Sequence, residues 1–385
     1  MFNFNFYNPT KIIFGKDRIE ELDDLIPVDA RVLLTFGGGS VKKYGTLEKV
    51  KKALKGRHIV EFGGIEPNPH YDTLIKACEV VKNENIDFLL AVGGGSVMDG
   101  TKFIALASNY KGNALDLLTP DFGLAPVESA IDLATIVTLP ATGSEMNNGA
   151  VISHEGKKVP IFSMHTFPKF SMLDPSLTFT LPKTQVANGI VDTFIHTVEQ
   201  YITYPVDARF QDRTAEGILQ TLIEIGQTCI NESENYDARA NLLFCSTMAL
   251  NGLICSGVPQ DWTTHMIGHE ITAVFGIDHG KTLAAIQAQI WTIRKKQKWD
   301  KLLQYARRVW KIEEVDEEKA IDLAISKTND FFESLGIATN LGAYNITKKD
   351  IPKILESMKR NGRTKLSERS DLSLDISEKI LEASL

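Results

Sequence analysis

Phe88-Leu89-Leu90-Ala91-Val92-Gly93-Gly94-Gly95-Ser96 is an unbroken apolar run that ends in three glycines and a serine. A strand buried on both faces reads this way, because neither side of its pleat meets water. The pattern occurs a second time upstream, where Arg31-Val32-Leu33-Leu34-Thr35-Phe36 runs into Gly37-Gly38-Gly39-Ser40. Further strand-like runs are Lys11-Ile12-Ile13-Phe14, His58-Ile59-Val60-Glu61-Phe62 and Ala134-Thr135-Ile136-Val137-Thr138-Leu139. Phe2, Phe4 and Phe6 alternate with Asn3 and Asn5, a period of two that predicts an N-terminal strand. Helical stretches at 41–54 and 71–83 separate the runs. Apolar strands alternating with helices predict an α/β, Rossmann-like domain, its parallel sheet covered on both faces. Ligands in such sheets bind at the carboxyl ends of the strands, where both glycine segments fall.

Past residue 180 the texture changes. Segments with a 3.6-residue period dominate, at 183–203, 209–231, 236–256, 262–275, 281–293, 298–309, 317–335 and 349–360. The expected organisation is therefore residues 1–180 as an α/β nucleotide-binding domain and 181–385 as an all-helical domain. Leu181-Pro182 marks the start of the first helix.

Composition narrows the function classes. The 385 residues carry 42 Lys and Arg against 49 Asp and Glu, a net charge of −7. That balance argues against nucleic acid or an anionic membrane surface as a partner. No apolar run approaches the ~20 residues a spanning helix needs, and MFNFNFYNPT lacks the basic and apolar regions of a signal peptide. Cys78, Cys229, Cys245 and Cys255 show no CxxC spacing. They read as free thiols in a reducing compartment, and the protein is expected to be cytoplasmic.

Several segments carry chemistry. A glycine-rich turn between strand and helix lets backbone N–H groups approach a phosphate closely. The 93–96 turn is not the common dinucleotide fingerprint, because Met98 stands where its last glycine would be, and it is not a P-loop. Asp99 and Lys102 follow on the helix and, taken alone, read as solvated charges. Thr138-Leu139-Pro140-Ala141-Thr142-Gly143-Ser144-Glu145 gathers hydroxyls at a strand end. The histidines carry the strongest signal. Asp192 and His196 are spaced i, i+4 among Val191, Phe194, Ile195 and Val198, so both lie on one face of a buried helix. His265 and His269 repeat that spacing, and His279 follows at the end of their helix. A buried carboxylate is costly unless it is paired or binds a metal. Imidazoles with one carboxylate suit zinc or ferrous iron. Neither HExxH nor GxSxG is present, which argues against a zincin protease and a nucleophile-elbow hydrolase.

With Gly93 to Lys102, Thr138 to Glu145, Asp192…His196 and His265-x-x-x-His269…His279 in place, the chain resembles the iron-containing (group III) alcohol dehydrogenase family over essentially its full length. Within that family it is similar to bacterial NADPH-dependent aldehyde reductases and butanol dehydrogenases. The resemblance implies a nucleotide domain followed by a helical metal domain. It places the ligands of one divalent ion, Fe2+ or Zn2+, on Asp192, His196, His265 and His279, with His269 as an active-site residue that is not a ligand. It places the pyrophosphate loop on Gly94, Gly95 and Ser96, with Asp99 toward the nicotinamide. Other cofactor contacts fall on Thr138, Thr142, Asn147, Lys158, Leu177 and Leu181. Trp262, three residues before His265, departs from the small residue of many members and is shared by the aldehyde reductase subgroup.

The coenzyme follows from charge. NAD-dependent enzymes place a carboxylate after the second strand to bond the ribose 2′-hydroxyl. Here Phe36 leads into Gly37-Gly38-Gly39-Ser40, with Lys42 and Lys43 beyond. A 2′-phosphate would meet Gly38, Ser40 and Lys43 rather than a repelling carboxylate, so NADP(H) is expected. The expected activity is metal-assisted reduction of short-chain aldehydes to primary alcohols, with His269 passing the proton. The resemblance also implies a homodimer. The alternatives are an NAD-dependent polyol or glycerol-type dehydrogenase, a dehydroquinate synthase-like lyase, and a non-catalytic metal and nucleotide sensor.

Overall fold

The structure, a computed structural model, describes residues 1–118 and 124–385. It divides into two compact units, one of Tyr7–Leu181 and the other of Pro182–Leu385 together with Met1–Phe6. The first unit contains β1 (Lys11–Phe14), β2 (Arg31–Thr35), β3 (His58–Phe62), β4 (Phe88–Gly93), β5 (Asp132–Val137), β6 (Gly149–His154), β7 (Lys157–Phe162) and β8 (Phe170–Leu173). Its helices are α1 (Leu22–Leu25), α2 (Ser40–Lys43), α3 (Thr46–Ala53), α4 (Tyr71–Asn83) and α5 (Gly95–Asn109).

Six strands form one sheet in the order β1-β8-β5-β4-β2-β3, and every pairing within it is parallel. All six residues of β4 are buried, as its unbroken apolar run requires. Val32, Leu34, Val92, Ile136 and Met172 pack with Leu22, Leu47 and Val50 into the core beside the sheet. The strand order reverses between β2 and β4, which lie side by side. Such a reversal is where open α/β sheets bind ligands. The two glycine segments leave the carboxyl ends of these two strands.

Several elements differ from the expectations. Residues 2–6 form no strand. The Phe2 amide donates to the Gly257 carbonyl at 2.9 Å, but the segment has no ladder partner among the described residues, and Phe2, Phe4 and Phe6 are about half exposed. The 41–54 stretch is two helices, α2 and α3, meeting at Gly45. Strand β8 and the β6–β7 hairpin were not anticipated. The hairpin turns on Glu155 and Gly156, both at positive φ, through a two-residue loop that lacks the usual Asn-Gly or Asp-Gly signal.

The second unit contains α6 (Lys183–Tyr201), α7 (Arg209–Asn231), α8 (Tyr236–Ala249), α9 (Thr263–Phe275), α10 (His279–Ile293), α11 (Trp299–Arg308), α12 (Glu317–Ser334), α13 (Ile351–Arg360) and α14 (Leu374–Ala383). A two-residue ladder pairs β9 (Lys365–Leu366) with β10 (Leu372–Ser373). Helix α6 is buried without a break from Gly189 to Tyr201, although Asp192, Thr193, His196, Thr197, Glu199 and Gln200 lie in that stretch, so its polar groups need partners inside the fold. Its Thr193 and Thr197 hydroxyls donate back to the Gly189 and Thr193 carbonyls at 2.8 and 2.9 Å. Met266, Ile267, Ile271, Ile286, Ile354 and Leu381 form the core where α9, α10, α13 and α14 meet. Helix α8 stops at Ala249 rather than near 256, and α14 lies beyond the helical segments read from the sequence.

Candidate functional site

The i, i+4 spacing on α6 and α9 does what helical geometry demands. Three imidazoles converge on one carboxylate oxygen. From Asp192 Oδ1, His265 Nε2 is 3.4 Å away, His196 Nε2 is 3.7 Å and His279 Nε2 is 3.7 Å. The His196 and His265 rings stack with centroids 4.5 Å apart. Asp192, His265 and His279 offer ligand atoms that all lie within 4.8 Å of one another. His279 reaches the point because Gly280 lets α10 start against α6. A Cβ at Gly280 would sit 2.7 Å from the Asn188 carbonyl oxygen.

The donor set fits a divalent metal ion. Nitrogen and oxygen ligands held tetrahedrally at about 2.0–2.1 Å from zinc lie about 3.4 Å apart, close to the spacing around Asp192 Oδ1. Asp192 Oδ1 and His265 Nε2 are buried and have no hydrogen-bond partner among the described residues. Two buried polar atoms left bare toward each other are expensive unless a cation joins them. Burial alone would raise the Asp192 carboxyl, but the surrounding imidazoles outweigh it and hold the group well below the usual carboxylate range. Burial alone would lower His265, yet the flanking Glu199 and Asp192 carboxylates push it up to about 9. A ring between two carboxylates demands positive charge, which a proton or a metal can supply. The His279 side chain keeps 23% of its surface against 6% for Asp192, so the cluster opens on the His279 side.

His269, one turn after His265, has its ring 4.9 Å from that of His279 and 6.0 Å from that of His265. Trp262 stands at the head of α9, 5.5 Å from His265 and 6.2 Å from His196 between ring centroids. Glu199 is the residue that sequence reasoning missed. It accepts hydrogen bonds from the His265 backbone N–H at 3.1 Å and pairs with the His265 ring at Nδ1. The signal was present, since Asp192, His196 and Glu199 are spaced i, i+4, i+7 on one face of a buried helix.

In the first unit, the two glycine segments and the Thr138–Glu145 segment follow the carboxyl ends of the neighbouring strands β2, β4 and β5, whereas Lys158 lies on β7 and Leu177 and Leu181 follow β8. Helix α5 begins at Gly95 with no side chain capping its N-terminus, so its first N–H groups are available to an anion. Gly95 is packed against Thr142, and a Cβ there would lie 2.4 Å from Thr142 Cγ2. The Ser96 hydroxyl accepts from the Asn68 amide at 3.2 Å. Gly38, Ser40 and Lys43 are at the surface after β2, and Gly38 has no neighbour within 4 Å of an added Cβ. Lys43 lies over the Tyr44 ring, at 5.1 Å. A carboxylate does stand close by. Glu61, near the end of β3, pairs with Lys42 at 2.9 Å and Lys51 at 3.0 Å, and these lysines hold its pKa down.

Asp99 and Lys102 are not the solvated charges that their sequence context suggested. Asp99 accepts from the Ser144 hydroxyl at 2.7 Å and the Val151 amide at 2.9 Å. Lys102 has no exposed surface. It donates to the Asn147 carbonyl and side-chain oxygens, each at 2.9 Å, and to the Gly149 carbonyl at 2.8 Å. Burial outweighs the Asp99 and Glu145 carboxylates and lowers the Lys102 pKa to about 8. The pair anchors the β6–β7 hairpin, which carries Lys158, and the Asn147 turn before it. Thr138 donates its amide to the Gly93 carbonyl at 2.9 Å. Leu177 lies against the sheet core, and Leu181 is half-buried at the end of the unit.

Residues 9–175 match the iron-containing alcohol dehydrogenase family, and residues 186–381 match the C-terminal family of the Fe-containing alcohol dehydrogenases. The chain belongs to the iron-containing alcohol dehydrogenase family. Among family members, it is 54% identical over 385 residues to the NADPH-dependent aldehyde reductase YqhD of Escherichia coli (strain K12), covering 100% of both chains. It is 40% identical to a probable NADH-dependent butanol dehydrogenase of Bacillus subtilis (strain 168), over 94% of this chain and 95% of that one. The solved substrate- and cofactor-free form of the E. coli aldehyde reductase superposes with a TM-score of 0.93 at 51% identity, covering 100% of each chain. Among the described residues, no helix is long and apolar enough to cross a membrane.

Proposed function

We propose that this chain reduces short-chain aldehydes to primary alcohols with NADPH, reversibly, at one divalent ion, Fe2+ or Zn2+. The observation that carries the reading is the convergence of His196, His265 and His279 on the bare oxygen of Asp192. NADPH supplies the hydride and the cation supplies Lewis acidity toward the carbonyl oxygen. Asp192, His196, His265 and His279 hold the cation. His269, beside this cluster on α9, passes the proton that the product alcohol requires.

The remaining residues bind the coenzyme. The α5 N-terminus, with Gly94, Gly95 and Ser96, takes the pyrophosphate. Asp99, Thr138, Thr142, Asn147, Lys158, Leu177 and Leu181 line or support the adenosine-to-nicotinamide path. Gly38, Ser40 and Lys43 receive the 2′-phosphate. Two supports favour NADPH over NADH. The E. coli relative with the higher identity is NADPH-dependent, and the nearby Glu61 carboxylate is already neutralised by Lys42 and Lys51. We also read the protein as a cytoplasmic homodimer. The free state of all four cysteines suits a reducing compartment, and the exposed Phe2, Phe4 and Phe6 offer apolar surface to a second copy.

The test is NADPH oxidation with butanal, measured on protein as isolated, after stripping with a strong chelator, and after adding Zn2+ or Fe2+. Loss on stripping and recovery with metal is the expected result. Undiminished turnover by the stripped protein contradicts the metal assignment, and no turnover in any metallated state contradicts the reductase reading.

A further inference from the structure

Glu199 lies seven residues after Asp192 on α6, and its residue surface is 5% exposed. Its two carboxylate oxygens face one residue. Oε1 accepts the His265 backbone N–H at 3.1 Å, one of the donors that the start of α9 leaves without an intrahelical partner. Oε2 meets Nδ1 of the His265 ring. The other ring nitrogen, Nε2, is the one that faces Asp192 Oδ1.

Behind Glu199 is a buried ionic cluster. Lys298 Nζ is 2.7 Å from Asp261 Oδ2 and 3.2 Å from Glu368 Oε1, and it donates to the Ile202 carbonyl at 2.8 Å. The Asp261 amide in turn donates to the Glu199 carbonyl at 2.8 Å. A cavity of about 10 Å3, lined by Glu199, Asp261, Thr264, Gln287 and Lys298 among others, lies in this cluster. A space of ~10–15 Å3 holds about one water. Lys298 is the positive charge that holds Asp261 and Glu368 together on this side.

We propose that Glu199 is a positioning residue for the metal centre: it fixes the His265 ring with Nδ1 as donor and Nε2 bare toward the ion. The inference rests on the metal reading above. Its logic is the donor count. When ionised, the Glu199 carboxylate has two acceptor oxygens and no donor, so the backbone N–H and the ring Nδ1 both donate to it. A neutral imidazole that donates from Nδ1 keeps its lone pair on Nε2, the form a metal needs. The clamp also fixes the ring plane, because one side chain grips both the backbone and the ring of the same residue.

Glu199→Gln tests the claim sharply, since it changes the donor pattern and almost nothing in shape. An amide has one oxygen for two N–H groups. If that oxygen takes the backbone N–H, the amide nitrogen must donate to Nδ1, which forces the proton onto Nε2 and spoils the ligand. If it takes the ring, two N–H groups oppose each other at the backbone. Zn2+ and Co2+ dissociation constants, measured by chelator competition, should rise about 10- to 100-fold in Glu199→Gln. The rise should be at least as large as in Glu199→Ala, where water can fill the space and either tautomer survives. A side chain that merely fills volume would give the opposite order. The KM for NADPH should not move. Metal affinity of Glu199→Gln within threefold of wild type overturns the proposal, as does a larger loss in the alanine variant. Wild-type protein that binds neither ion overturns the metal reading itself. A second measurement needs no variant. In Zn2+-loaded wild type labelled with 15N-histidine, the His265 Nδ1 proton should be strongly deshielded and protected from exchange. A freely exchanging Nδ1 proton overturns the clamp.

Discussion

Both units bury charged side chains, and they treat them differently. In the first unit, Lys102 is fully enclosed and has three oxygen acceptors within 2.9 Å, while Asp99 beside it accepts from Ser144 and Val151. Their hydrogen bonds are closed within the fold. In the second unit, Asp192 Oδ1 and His265 Nε2 are as deeply enclosed, yet each faces the other without a hydrogen bond. A satisfied buried charge holds a backbone in place. An unsatisfied pair, kept at a cost to stability, marks where something else must bind. The contrast separates residues whose charges are closed within the fold from residues left open to a ligand; the sequence marked the second pair and made the first look like solvated surface charges.

Substitutions at the two places should fail in different ways. Asp192→Ala should lower NADPH-linked butanal reduction about a thousandfold or more, since it removes both a ligand and the Lewis acidity that depends on the ion. Its stripped form should melt closer to wild type than Lys102→Met does. Steady-state rates and thermal melts on the two variants check both statements. Lys102→Met should cost about 3–5 kcal/mol in the denaturation of the first unit, because it leaves Asp99 and three acceptors uncompensated. A small loss there, with a large loss of activity, would turn the contrast around.

The same lysine gives the comparison a pH dependence. Its folded pKa is about 8 against an ordinary 10.5. Between those values the unfolded chain holds a proton that the folded chain has released. Its contribution is therefore fully present above pH ~10.5 and is lost as pH falls through ~8. The stability gap between wild type and Lys102→Met should widen by about 1–3 kcal/mol from pH 8 to 10.5 in urea titrations. A gap that is flat or narrows over that range would mean that Lys102 stays charged. The smallest effect is expected at the surface. Ser40→Asp should lower kcat/KM for NADPH about 10- to 100-fold and for NADH much less, by placing a carboxylate where the 2′-phosphate is expected. Equal losses for the two coenzymes would remove Ser40 from that role.

What was legible in the sequence follows from the same physics. Apolar runs ending in glycines disclosed β2, β4 and the parallel sheet, because burial on both faces leaves a continuous pattern. The i, i+4 spacing of Asp192 with His196, and of His265 with His269, disclosed the candidate metal cluster, because helical period alone brings such residues to one face. Three things were hidden. The Phe170–Leu173 strand is only four residues long and includes Ser171, too short a run to show a period, although Pro168 and Asp174-Pro175 flank it. The Glu155-Gly156 hairpin lacks the dipeptides that announce a tight turn. Lys298 was passed over because its pairing with Asp261 and Glu368, 37 and 70 residues away, leaves no mark on local pattern, whereas Glu199 did carry a signal in its i+7 spacing from Asp192, which went unread. Lys102 was misread for a related reason: two of its three acceptors are the backbone oxygens of Asn147 and Gly149, which any residue type could have supplied.

The central claim is that the bare atoms of Asp192 and His265 mark a metal site. Titration of the stripped wild-type chain and of Asp192→Ala with Co2+, followed by visible absorption, tests it most directly. Wild type should take up one ion per chain with the strong bands of a low-coordinate site, and Asp192→Ala should take up none at the same concentration. Equal uptake by both, or none by wild type, would contradict it.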